Sequence, residues 1–283
     1  MSTSIQTEQG WLHTHPHVFY RAWRTPQAPT AAPTAVVIIC HGYAEHSGRY
    51  HHVGRQLATQ NLAVYACDLH GHGHSSGIRA SATNLEGYVD NLIKMLRHAQ
   101  QSHPDVPLVL LGHSMGGLVA LQTCLENPDD INLLCLSGAM LRNAVKLPGW
   151  LNIIAKTLAQ TRPDLPTQAL DARDIARDPY VVARYLHDPL VYTSKVRAGL
   201  GYCLLTAGED ILQRAPALTL PMLIMHADAD RIADARGSEE LYKRVSSSDK
   251  TLKLFDSYHE ILNDTAKDAV LQTLSQWLDD RLA

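Results

Sequence analysis

The chain has 283 residues, 45% of them hydrophobic and 19% charged, the balance of a globular protein with a substantial core. Its formal net charge is −3 with no cluster of Lys or Arg, so the long-range attraction that nucleic-acid binding relies on is missing. No apolar run approaches the roughly 18 residues of a membrane span, and the opening MSTSIQTEQG lacks the basic start and apolar stretch of a secretory signal. Five scattered cysteines suit buried thiols in a reducing compartment better than a disulfide framework, so a cytoplasmic protein is expected.

In chain order, His13, His15 and His17 alternate as one wet face of an early strand, and Thr25–Thr34, with three prolines, reads as a loop between N-terminal strands. Val36–Cys40 and Ala63–Cys67 are apolar strands. A helix then begins at Thr83, which has capping-box spacing to Glu86, and carries Leu85, Val89, Leu92 and Leu96 on one face. Leu108–Leu111 and Leu133–Leu136 are strands flanking a helical pattern through Leu125. From about Arg142 to Gly199 no strand is evident, and Pro148, Pro163, Pro166, Pro179 and Pro189 punctuate the stretch. Helical pieces fit between the prolines, one of them carrying Leu147, Trp150, Leu151, Ile154 and Leu158. A structureless loop of that length is improbable, so a helical cap inserted over the sheet is expected. Strands Met222–Met225 and Leu252–Phe255 follow, and a last helix places Ala269, Leu271, Leu274 and Leu278 near an apolar face.

The strands are nearly unbroken in apolar character, as in a mostly parallel sheet covered on both faces by helices. Their alternation with helices predicts a doubly wound α/β fold. The expected organisation is a core in two parts, residues 1–141 and 201–283, with the cap at 142–200.

Gly112-His113-Ser114-Met115-Gly116-Gly117 follows the strand Leu108–Leu111 and precedes a helix, the context that the G-x-S-x-G pattern requires. The sharp turn brings another segment close to the serine, which explains the flanking glycines. At a helix N-terminus, Ser114 also has backbone N–H groups aimed at developing negative charge. A serine hydroxyl needs an imidazole to take its proton. Among 16 histidines, His259 has the right position, four residues past the last strand. The acid should follow Met222–Met225, where Asp228, Asp230 and Asp234 crowd together, and spacing alone does not settle among them. The order Ser, acid, His is that of one triad-bearing fold.

These residues belong to longer blocks: HGYAEHSGRY (41–50), DLHGHGHSSG (68–77), GHSMGG (112–117), ADRIAD (229–234) and YHEILND (258–264). Together they resemble the monoacylglycerol lipase and lysophospholipase branch of the α/β-hydrolase superfamily, grouped with the serine aminopeptidase-type hydrolases, over nearly the whole chain. The resemblance implies a triad of Ser114, Asp230 and His259. It favours Asp230 because the family's acid directly precedes Arg, here Arg231. It implies an oxyanion hole from the backbone N–H groups of Tyr43 and Met115, with a Tyr43 side chain that narrows the acyl channel. It assigns Glu45 and Arg49 to the polar end of a pocket for a glycerol head group, against the alternative of an ordinary structural ion pair. Animal members carry another histidine three residues after the catalytic one, where this chain has Leu262, so the head-group contacts do not transfer whole.

The expected activity is hydrolysis of a monoacylglycerol or similar single-chain ester through an acyl-enzyme on Ser114, with no cofactor. A lysophospholipase, a short-chain carboxylesterase or an aminopeptidase-like amidase would fit the same triad, and a catalytically dead ligand-binding scaffold is a remote alternative. His70, His72 and His74 alternate in a glycine-rich loop but have only Asp68 as a companion, so no metal is expected there. The apolar cap residues are expected mainly to pack down on the sheet. The alternative is a substrate entrance with weak, transient contact to a lipid surface.

Overall fold

A computed structural model describes residues 5–25, 32–144 and 148–282; Lys146, Leu147 and most of the 25–34 loop lie outside the described residues. The strands are β1 (Gln6–Leu12), β2 (Val18–Arg24), β3 (Ala35–Cys40), β4 (Leu62–Cys67), β5 (Leu108–His113), β6 (Leu133–Ser137), β7 (Met222–Ala227) and β8 (Lys250–Phe255). They form one sheet in the order β1-β2-β4-β3-β5-β6-β7-β8. Only β2 runs antiparallel to its neighbours, β1 and β4; every other pairing is parallel. The helices are α1 (His51–Ala58), α2 (Glu86–Ser102), α3 (Met115–Glu126), α4 (Gly149–Thr161), α5 (Pro179–His187), α6 (Ala198–Arg214), α7 (Ala235–Arg244) and α8 (Lys267–Leu282). None is long and apolar enough to cross a membrane.

The period of two along a strand divides the core. Val36, Ile38 and Cys40 join α2, α3 and α6 on one face, while Ala35, Val37 and Ile39 join α1 and α8 on the other. Each aliphatic side chain so buried contributes roughly 1.5–3 kcal/mol. Both faces of β3 to β7 are covered, which is why they read as unbroken apolar runs. β8 departs from that expectation. As the edge strand it is half-exposed, and Lys250 and Lys253 blunt its open side against further pairing.

Three local expectations need correction. α2 starts at Glu86 with no capping box: Leu85 is drawn into the core as the N-cap residue, and Asn84 Oδ1 accepts the Glu86 N–H instead. The apolar face of α8 is Val270, Leu271, Leu274, Trp277 and Leu278, with Ala269 exposed. His13, His15 and His17 lie in the β1–β2 connection, not on a strand.

Between β6 and β7 the described residues contain no strand, only α4, α5, α6, whose first turn covers residue 200, and 3-10 turns at Ala172–Asp174 and Ala215–Ala217. The expectation that α4 packs down on the sheet also fails. Its one buried residue is Ala159, and Trp150 and Ile153 are 65% and 70% exposed. The physical reason is that α4 spans a cavity: Leu151, Ile154, Ala155 and Leu158 face that space, leaving the opposite stripe to solvent.

Candidate active site

β5 delivers Ser114 at the sheet's C-terminal edge, where α3 begins. The Ser114 backbone is at φ 53°, ψ −118°, a conformation that L residues rarely adopt. Its neighbours hold it there: Ser114 N–H donates to Ser137 O at 3.0 Å, and Ser114 O accepts the N–H groups of Gly117 (2.9 Å) and Met140 (3.2 Å). The glycines are obligatory. A Cβ on Gly112 would lie 2.6 Å from Gly116 O, and one on Gly116 would lie 2.1 Å from Cys40 O.

The loop after β8 brings His259 to this turn, 145 residues from Ser114 in sequence. His259 Nε2 lies 2.8 Å from Ser114 Oγ and Nδ1 lies 2.7 Å from Asp230 Oδ2. A carboxylate only accepts, so Nδ1 carries the proton and Nε2 is left to take one from the hydroxyl. Gly138, beside the ring, has φ 55°, a conformation that favours glycine, and a Cβ there would sit 3.1 Å from His259 O. Of the three candidate acids, Asp230 is brought to the histidine. Asp228 is exposed, and Asp234 caps α7 by accepting the Arg236 N–H and pairs with the Arg236 side chain.

Asp230 is fixed on both oxygens. Oδ1 accepts the N–H groups of Ile232 (2.8 Å) and Ala233 (2.9 Å), while Oδ2 also lies 3.2 Å from Nε2 of the buried His226. His226 Nδ1 in turn lies 2.7 Å from Ser238 Oγ on α7. Burial alone would raise the Asp230 pKa, but His259 and His226 more than offset it and hold the carboxyl well below the usual range. Burial likewise lowers the His259 pKa, and the Asp230 carboxylate outweighs it, so the net displacement is upward.

Gly42 abuts the serine: a Cβ on it would lie 3.2 Å from Ser114 Cβ. The next residue, Tyr43, and the first residue of α3, Met115, have backbone N–H groups with no acceptor among the described residues. Both adjoin the nucleophile, where an oxyanion would form. The Tyr43 ring lines the cavity, and its buried hydroxyl has no hydrogen-bond partner among the described residues.

Glu45 also lines the cavity and is buried. Its Oε1 accepts from Gly42 N (2.6 Å) and Tyr50 Oη (2.6 Å), and its Oε2 accepts from Arg49 Nη1 (3.0 Å). Burial pushes its pKa up, but Arg49 and neighbouring groups reverse that and bring it to about 2. Arg49 is not among the lining residues. Its guanidinium grips Glu260 through both terminal nitrogens, at 2.5 and 2.7 Å. Glu260 and His226 are the two residues at this site that sequence reasoning misses. Adjacency to His259 is the one signal for Glu260; for His226 it is the position four residues before Asp230.

The cavity above Ser114 has a volume of about 530 Å³. Its polar end holds Ser114, His259, Glu45 and Glu260, and its walls include Met140, Leu151, Ile154, Leu158, Ile175 and Leu204. Among the described residues no three His, Cys, Asp or Glu side chains gather as metal ligands. Asp68, the companion of the histidine loop, instead ties that loop to Ser47 N (2.8 Å) and His74 N (2.8 Å).

A family model described as serine aminopeptidase S33 matches residues 31–266. A monoacylglycerol lipase of Mycolicibacterium smegmatis is 37% identical over 266 residues, covering 94% of each chain. A monoglyceride lipase of Homo sapiens is 31% identical over 94% of this chain and 88% of its own length. The crystal structure of a Paleococcus ferrophilus monoacylglycerol lipase superposes with a TM-score of 0.82 at 28% identity, over 93% of this chain and 98% of the other. A soluble variant of a Saccharomyces cerevisiae monoglyceride lipase, solved with a substrate analog, shares the fold with a TM-score of 0.84 at 23% identity, over 99% of this chain and 96% of the other.

Proposed function

The chain belongs to the serine aminopeptidase S33 family, within the monoacylglycerol lipase branch of the α/β-hydrolases, and from that premise we propose that it hydrolyses monoacylglycerol to fatty acid and glycerol. The observation that carries this reading is one imidazole within hydrogen-bond reach of both a hydroxyl and a carboxylate, at the polar end of an apolar cavity. His259 Nε2 removes the Ser114 proton as Oγ attacks the ester carbonyl, and the N–H groups of Tyr43 and Met115 hold the oxyanion. The C–O bond to glycerol then breaks, with the same proton passing from His259 to the departing oxygen. A water, deprotonated by His259, releases the fatty acid and restores Ser114. These steps call for no cofactor.

The acyl chain lies along the apolar walls, under a cap formed by residues 142–200. The exposed stripe of α4, with Trp150 and Ile153, touches a lipid surface transiently while the substrate enters. We place the protein in the cytoplasm, a reading supported by five free, buried cysteines. The test is a panel of mono-, di- and triacylglycerols with p-nitrophenyl esters. The expected result is a strong preference for the monoacyl ester, and equal rates on mono- and diacylglycerol would overturn the substrate assignment.

A further inference from the structure

The polar end of the cavity is unbalanced in charge. Glu45 and Glu260 both line it, whereas Arg49, the cation that pairs with them, stands behind them and outside the lining. Arg49 Nη1 is shared between Glu45 Oε2 (3.0 Å) and Glu260 Oε1 (2.5 Å), Nη2 is given to Glu260 Oε2 (2.7 Å), and the Tyr185 ring covers the guanidinium at 4.9 Å. Two carboxylates against one guanidinium leave one negative charge uncompensated. The neighbouring His113 does not supply the missing cation, because burial lowers its pKa to about 4. Among the described residues the one Lys or Arg lining the cavity, Arg231, faces Asp174 at 3.5 Å, and Asp174 lines the cavity as well.

The side of the substrate that meets this charge follows from the chemistry. An acyl chain cannot solvate carboxylates, so it takes the apolar walls. The departing alcohol must lie against His259, which protonates it, and therefore beside Glu260, the next residue. Asn263 Nδ2 also donates to Glu260 Oε2, at 3.2 Å, and the lone pairs of Glu260 engaged by neither Arg49 nor Asn263 can accept hydrogen bonds from a polyol. A phosphate offers negatively charged acceptor oxygens and would meet carboxylates with no unpaired Lys or Arg lining the cavity among the described residues, in a site where like charges repel strongly.

Resting on the ester-hydrolase reading, we infer that Glu260, with Glu45, determines leaving-group specificity: uncharged polyol heads are accepted and heads bearing an anionic phosphate are rejected. The ion pair with Arg49 fixes the Glu260 carboxylate in place and hides the guanidinium from the substrate.

The experiment compares kcat/KM for decanoyl esters of glycerol, glycerophosphocholine and glycerol 3-phosphate, each below its micelle concentration. The wild-type protein should favour the glycerol ester over the phosphate monoester by about a hundredfold, with the zwitterion between, each tenfold being about 1.4 kcal/mol. Glu260→Gln should narrow the neutral-to-anion ratio by about tenfold or more, and Glu260→Asp should keep the wild-type order. Equal wild-type rates on the neutral and anionic esters would overturn the inference even if Glu260→Gln fails to fold. A folded Glu260→Gln protein with the full wild-type ratio would overturn the role of Glu260. Absence of turnover on all three esters would instead overturn the ester-hydrolase reading on which the inference rests.

Discussion

Ser114 sits in a strained backbone conformation, and His259 reaches it from a loop 145 residues away, so the reactive pair depends on what holds each member still. His226 and Ser238 extend that support beyond Asp230. Because His226 Nε2 also lies 3.1 Å from the Ala233 carbonyl, it carries the proton, and Nδ1 accepts from Ser238. A charge-assisted hydrogen bond contributes about 1.5–3 kcal/mol, so His226→Leu should lower kcat by about ten- to a hundredfold with KM little changed. Steady-state kinetics on a soluble ester checks this. The pH profile carries its own expectation. The base acts only when neutral, and Asp230 raises the His259 pKa above the ordinary 6.5, so kcat/KM should rise with pH through a midpoint above 6.5. A midpoint well below 6.5 would contradict the observed Asp230 contact. At this scale the nucleophile and base are legible because turn glycines and chain order obey local rules, whereas spacing leaves three candidate acids and the resemblance to a family, through Arg231, singles out Asp230. The grip of Arg49 on Glu260 is not, because its partners are 211 residues apart and no spacing rule links them.

The elbow between β5 and α3 works as a unit, since its helix approaches β3 so closely that only glycine fits. Gly116→Val would drive side-chain atoms into Cys40 O and should cost about 2 kcal/mol or more in urea unfolding, because overpacking forces the backbone to shift. α4 gives the opposite kind of prediction. Trp150→Ser with Ile153→Ser should slow hydrolysis of vesicle-bound monoacylglycerol while leaving a soluble p-nitrophenyl ester unaffected, since both side chains face solvent. The central strands are legible because burial on both faces demands unbroken apolar runs. The orientation of α4 is not: an apolar pattern says that a helix seeks cover without saying whether a wall or a cavity provides it. The missing capping box of α2 has a similar cause, with core packing of Leu85 overriding a cap that spacing alone permits.

For the whole molecule, alternating strands and helices lead to the layer architecture, while the position of β8 at an open edge shows only in three dimensions. The sheet delivers Ser114, Asp230 and His259 from the ends of β5, β7 and β8, and the segment between β6 and β7 roofs the cavity above them. This convergence makes Ser114 the proposed nucleophile of an ester hydrolase. The most direct measurement is peptide mapping by mass spectrometry after fluorophosphonate labelling, with monoacylglycerol turnover followed in parallel. The expected result is a single phosphonyl adduct on Ser114, loss of turnover in step with labelling, and at least about a 10⁴-fold loss of kcat in Ser114→Ala. An adduct at another residue, or turnover that persists with Ser114 fully labelled, would contradict it.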